Sequence, residues 1–173
     1  MKLSKRSFFI TVVIVLTIAA DQISKVLVRA NVDLRNGISP GERIPLIGDA
    51  FVLMHVENTG AFLGMGSELG ETMRLILLLI LPIVVLAFVL RYIIKDKSLD
   101  YWSLFAFSSI IGGGVANVYD RVVYGKVTDF LFIDLGGVFK TGIFNLADLS
   151  VTTGMIILVL ASFRKKKQDR IVS

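Results

Sequence analysis

Apolar side chains gather into four long runs, about residues 8–28, 75–94, 101–119 and 143–163, separated by polar stretches. Each approaches the roughly 20 residues that a helix needs to cross a ~30 Å hydrocarbon layer at about 1.5 Å per residue. Each is therefore predicted as a membrane-spanning helix, and Pro82 predicts a kink in the second. Between the runs the pattern changes. Within 31–72, the turn signals Asn36-Gly37, Pro40-Gly41 and Gly48-Asp49 bracket strand-like pieces at 42–47 and 50–56. Within 122–142, Tyr124-Gly125 and Gly136-Gly137 bracket a third at 127–135. The expected fold is a mainly α membrane protein: four transmembrane helices with a small β-sheet on the outer face, one domain over 1–173.

Composition agrees with that class. Apolar residues make up 54% of the chain and the mean hydropathy is +0.75, more than one soluble core of this length holds. The N-terminal layout, basic residues at 2–6 followed by an apolar stretch at 8–20, also fits a cleavable secretory signal. Helical spacing continues through Asp21-Gln22-Ile23-Ser24-Lys25, however, and thirteen apolar residues alone are too short to cross, so a retained first span is expected.

Charge assigns the sides. Lys2, Lys5 and Arg6, then Arg91, Lys95 and Lys97, then Arg164, Lys165, Lys166, Lys167 and Arg170 supply eleven of the 19 basic residues. Only Asp96, Asp100 and Asp169 accompany them, so both termini and the 164–173 tail are expected in the cytoplasm. The net charge of +5 is thus a topology signal, spread among helix ends and not gathered into the stripe that a nucleic-acid groove requires. No cysteine is present, which excludes disulfides, thiol nucleophiles and cysteine-ligated zinc. The single histidine, His55, reads as an exposed strand residue.

Candidate chemistry lies in the polar groups at membrane depth. Asp129, in Val127-Thr128-Asp129-Phe130, and Asp148, in Phe144-Asn145-Leu146-Ala147-Asp148, each sit at the outer end of an apolar stretch. An ionisable group there costs roughly 2.5–3.5 kcal/mol even on lenient scales and needs a partner or a task. In an extended strand Asp129 points with Val127, Leu131 and Ile133, away from Thr128 and Asp134. Asp21 and Lys25 are four apart and able to pair inside the first span, and Asn117 and Arg121 share a face in the third, where Arg121 can reach a carboxylate. Blander readings stand beside these: solvated boundary carboxylates, a wet end to the first helix, a boundary arginine, and ordinary helix packing for Ser108, Ser109, Gly112, Gly113 and Gly114. The Asn58-Thr59-Gly60-Ala61-Phe62 stretch alone fits either a close approach of one backbone to another or a flexible surface loop.

Taken in order, five strings resemble bacterial lipoprotein signal peptidase (signal peptidase II, prolipoprotein signal peptidase). They are Asp21 to Lys25, Asn58 to Phe62, Gly113-Gly114 through Asn117 to Asp120-Arg121, Val127 to Phe130, and Phe144 to Asp148. The resemblance implies an intramembrane aspartic endopeptidase of the cell inner membrane with Asp129 and Asp148 as its catalytic dyad. Asn117, Asp120, Arg121 and Asn145 would support the dyad or the substrate, and Asp21, Lys25, Asn58 and Gly60 would shape the pocket. It further implies four transmembrane helices with an outer β-cradle and a short surface helix. The substrate would be a diacylglyceryl-modified prolipoprotein cut just before its lipidated cysteine. The expected enzyme is a monomer in membrane lipid, with no metal or other cofactor and no nucleic-acid partner. Phe62 follows Ala61 directly, where family members often carry a second alanine.

Two rival classes use the same residues. A small transporter would string Asp21, Lys25, Asp129 and Asp148 along an ion path, but the charges cluster in the outer half and no inverted repeat is visible. An assembly scaffold would use the glycines and polar pairs for helix packing alone.

Overall fold

The computed structural model describes residues 4–60 and 68–172, with side chains through Phe163. Its helices are α1 (Lys5–Asn31), α2 (Glu71–Lys95), α3 (Tyr101–Tyr124) and α4 (Leu146–Val172), and its strands are β1 (Leu34–Arg35), β2 (Ile44–Ile47), β3 (Phe51–Asn58) and β4 (Val127–Ile133). The register after Gly60 falls on 61–67 and lies outside the described residues, among which no separate surface helix is found.

Helix ends follow from local chemistry. Ser4 caps α1 by accepting from the Ser7 N–H, Asp100 caps α3 by accepting from the Ser103 N–H, and Gly125 ends α3 in the left-handed region at φ +70°. In α2 the turn Ile76–Ile80 is π-helical, with the Leu81 N–H bonded back to Ile76 O just before Pro82. A widened turn is how a helix absorbs a residue that has no N–H to give. The fourth helix begins at Leu146, later than the apolar run starting at 143, because Phe144 pairs with Leu131 across the sheet.

α1, α2 and α4 carry segments both long and apolar enough to cross a membrane. α3 is long enough but richer in small and polar residues, because it is the central helix. Its three consecutive glycines, stepping about 100° apart, each face a different neighbour. A Cβ on Gly112 would strike the Thr17 side chain on α1, one on Gly113 the Ala147 carbonyl on α4, and one on Gly114 the flexible end of Leu86 on α2. Gly154 of α4 returns the approach against Ala106 O. The packing reading of this patch therefore holds. By contrast α2 buries only Ile93 fully and leaves apolar side chains such as Val85 and Phe88 exposed along its length, a surface suited to lipid.

At the opposite end from the sheet, Arg6 donates to Ile93 O at 2.8 Å, to Asp96 O at 2.5 Å and to Leu99 O at 3.3 Å, satisfying carbonyls where α2 ends. The start of α1 thus lies beside the α2–α3 turn. The sheet sits at the other end, with β3 at its centre. One edge of β3 pairs antiparallel with β4 over Phe51–Asn58, and the other is shared by β2, antiparallel, and β1, parallel. Both faces of β4 are covered: Val127, Thr128, Asp129, Phe130 and Leu131 are all buried, so Asp129 does not differ from Thr128 in exposure as alternation predicts. His55 corrects a second expectation. Its ring is buried, because the end of α1 and β1 close over that face of β3, and Nδ1 lies 3.0 Å from Val32 O.

Candidate active site

The start of α4 organises the polar centre. Asn145 Oδ1 accepts from the Asp148 N–H at 2.9 Å, and Asp148 Oδ2 accepts in return from the Asn145 N–H at 3.3 Å. This reciprocal cap satisfies two groups that a helix N-terminus otherwise leaves unpaired. The next free donor, the Ala147 N–H, goes to Asp21 Oδ1 on α1 at 2.9 Å. Phe144 holds the approach to the cap, exchanging hydrogen bonds with Leu131 at 2.8 and 2.9 Å, which sets Asn145 beside β4.

Three asparagine amides then converge on the two carboxylates, and each is oriented by a partner that can only donate. Asn58 Oδ1 accepts the Gly60 N–H at 2.8 Å, so Nδ2 faces Asp129 Oδ2 at 2.8 Å. Asn145 Oδ1 is engaged by the helix cap, so Nδ2 faces Asp129 Oδ1 at 2.6 Å. Asn117 Oδ1 accepts the Lys25 ammonium at 2.9 Å and Asn145 Nδ2 at 3.2 Å, so Nδ2 faces Asp148 Oδ1 at 2.8 Å. All four carboxylate oxygens meet a donor, and Asn145 touches both residues.

Lys25 anchors this arrangement from below. Fully buried, it forms ion pairs 2.7 Å from Asp21 Oδ2 and 2.7 Å from Asp120 Oδ2, both also fully buried, and donates to Asn117 Oδ1. Gln22 Nε2 braces the pair, 3.2 Å from Asp21 Oδ2 and 3.0 Å from Asp120 Oδ1. Sequence spacing did not single out Gln22; the signal was its place beside Asp21 on a helix with a polar turn.

All ten site residues expected from the sequence fall in one connected network. Arg121 differs in its partners. It donates to Gly60 O at 2.9 Å and Asn117 O at 3.3 Å, so it steadies two backbone segments and, among the described residues, makes no hydrogen bond to a carboxylate. Asp129, only 3% exposed, has its carboxyl pushed up to about 7. Burial is the main cause; the amide of Asn58 opposes it and the charge of nearby Asp148 adds to it. Among the described residues no cluster of His, Asp or Glu side chains is placed to hold a metal ion. From Asp148 an apolar groove of about 700 Å³ runs along α4 past Val151, Thr152, Met155, Ile156, Val159 and Leu160.

Fold and site together define a helical membrane protein with a buried polar centre, built around two carboxylates, where the helices meet the sheet. The chain belongs to the signal peptidase II family, whose model matches residues 13–164. Curated relatives named lipoprotein signal peptidase include that of Pelodictyon phaeoclathratiforme (strain DSM 5477 / BU-1), 38% identical with 88% of each chain covered. That of Pseudomonas aeruginosa (strain UCBPP-PA14) is 33% identical over 88% of this chain and 86% of its own. A solved structure described as a bacterial membrane enzyme, determined in meso at 2.3 Å resolution, superposes with a TM-score of 0.78 at 25% identity, covering 92% of this chain and 90% of its own. The protein is accordingly a membrane-embedded bacterial peptidase.

Proposed function

We propose that this chain is an intramembrane aspartic endopeptidase that removes signal peptides from diacylglyceryl-modified prolipoproteins, cutting before the lipidated cysteine with Asp129 and Asp148 as its dyad. The observation that carries the reading is Asn145, which donates to the Asp129 carboxylate from its side-chain amide and to the Asp148 carboxylate from its backbone N–H. Two acids so close do not both ionise readily and hold one proton between them. We assign that proton to Asp129, whose buried carboxyl keeps it near neutral pH. Negative charge on Asp148 is stabilised by the N-terminus of α4 and by the Asn117 amide.

In the reaction, Asp148 takes a proton from a water as its oxygen attacks the scissile carbonyl carbon, while Asp129 donates its proton to the carbonyl oxygen. Collapse of the tetrahedral intermediate breaks the C–N bond and returns a proton to the leaving amine. The groove along α4 supports a lipidated substrate: acyl chains seated there leave the bilayer sideways and avoid a transfer into water of about 0.8 kcal/mol per methylene. The basic residues at the opposite end support a topology with both termini in the cytoplasm and the dyad toward the outer face of the inner membrane; in this reading the enzyme acts as a monomer.

The test is cleavage by purified protein of a diacylglyceryl peptide and its unlipidated twin, read by mass spectrometry. Cleavage on the N-terminal side of the lipidated cysteine, with the twin left intact, is expected. Equal cutting of both peptides, or cutting elsewhere, contradicts the substrate assignment.

A further inference from the structure

The face of the sheet opposite the dyad carries a second polar network that the chemistry above does not use. In the β3–β4 register Val56 opposes Asp129 and Glu57 opposes Thr128. Side chains alternate along a strand, so Asn58 and Asp129 meet on one face while Glu57 and Thr128 meet on the reverse. There the Thr128 hydroxyl lies 3.3 and 3.4 Å from the two Glu57 oxygens, and Arg29 of α1 donates to Thr128 Oγ1 at 2.9 Å. The Arg29 guanidinium also stacks 4.5 Å from the Tyr124 ring at the end of α3. Glu57 is held in turn by His55, 2.9 Å from Nε2. His55 Nδ1 donates to Val32 O, since a carbonyl only accepts, which turns Nε2 toward the Glu57 carboxylate.

These contacts tie α1, α3, β3 and β4 together directly behind the Asn58–Asp129 hydrogen bond. We propose that Arg29, Thr128, Glu57 and His55 form a clamp that positions the Asp129 carboxyl against its amide donors; the inference rests on the dyad reading. Among the described residues none of the four makes a hydrogen bond or ion pair with the dyad carboxylates, so all are positioning residues. A clamp of this kind fixes the Cα of residue 129 through its immediate neighbour Thr128, and small displacements of a reacting group are expensive in rate.

Thr128→Val tests it, because valine keeps the branched strand-forming shape and removes only the hydroxyl. With a lipidated peptide and full-length protein, kcat is expected to fall roughly tenfold or more while KM stays within about twofold and the melting temperature is little changed. Thr128→Ser, which keeps the hydroxyl, recovers most of kcat. In Glu57→Gln the ring nitrogen signals of the single histidine shift in 15N NMR, reporting the changed partner at Nε2. Wild-type kcat in Thr128→Val overturns the clamp, as does an equal loss in Thr128→Ser. Should Thr128→Val not fold, Arg29→Met cuts the network at its far end and carries the same two outcomes for kcat. Asp129→Asn in the same assay separates the two ideas. Its full turnover sinks the dyad, whereas an inactive Asp129→Asn beside a wild-type Thr128→Val sinks the clamp alone.

Discussion

Asn145 donates its side-chain amide to Asp129 Oδ1 at 2.6 Å while its carbonyl oxygen caps the helix that bears Asp148. One residue therefore sets the positions of both carboxylates. The two roles come apart by substitution. Asn145→Ser retains a capping oxygen but is too short to reach Asp129, so its melting temperature is expected to fall little while kcat drops about a hundredfold. Asn145→Ala loses both roles and gives up a further ~1 kcal/mol of stability. Thermal melts paired with turnover measurements check this.

Lys25 is the counter-charge for two fully buried carboxylates, Asp21 and Asp120. Lys25→Met leaves both unpaired and is expected to destabilise the protein by roughly 3–5 kcal/mol. Converting the carboxylates as well, in Lys25→Met with Asp21→Asn and Asp120→Asn, recovers much of that loss. The recovery, read from melting temperatures in one detergent, distinguishes a charge effect from a packing effect.

Gly113 and Gly114 are neighbours with opposite tolerance. A Cβ on Gly113 meets the Ala147 carbonyl in the first turn of α4, which cannot move without shifting Asp148, whereas one on Gly114 meets the mobile end of Leu86. Gly113→Ala is expected to cost about 1–3 kcal/mol and most activity, and Gly114→Ala under about 1 kcal/mol with activity kept. Parallel melts and kinetics of the two variants decide it.

The Asp129 carboxyl, ordinarily near 3.8, is raised to about 7 by burial. The folded protein thus holds a proton in this window that the unfolded chain has released. That contribution is intact below pH 3.8 and is lost as pH rises through about 7. Asp129→Asn, which has no charge to bury, is expected to melt at the wild-type temperature near pH 4 and above it at pH 8, by up to a few kcal/mol of stability. Melting curves across that range test the sign.

Much of this was legible in the chain because membrane helices and strands write their periods locally. The apolar runs located the helices, and the turn signals located β2, β3 and β4. β1, only Leu34–Arg35, is too short to show alternation. The burial of His55 depends on the end of α1 folding over β3, which no local pattern encodes. Helical spacing put Asn117 and Arg121 on one face but could not say that Arg121 would find the Gly60 carbonyl. The orientation of the asparagine amides was equally hidden, since Gly60, Lys25 and Asp148, each distant in sequence or supplied by the backbone, decide which end of each amide faces a carboxylate.

The decisive measurement is the turnover of purified, folded Asp129→Asn and Asp148→Asn on a diacylglyceryl peptide. Each is expected to bind the peptide with near wild-type affinity and to cleave it at least a thousandfold more slowly, on the order of what a lost acid or base contributes. Wild-type cleavage by either variant would contradict a reaction run by these two carboxylates.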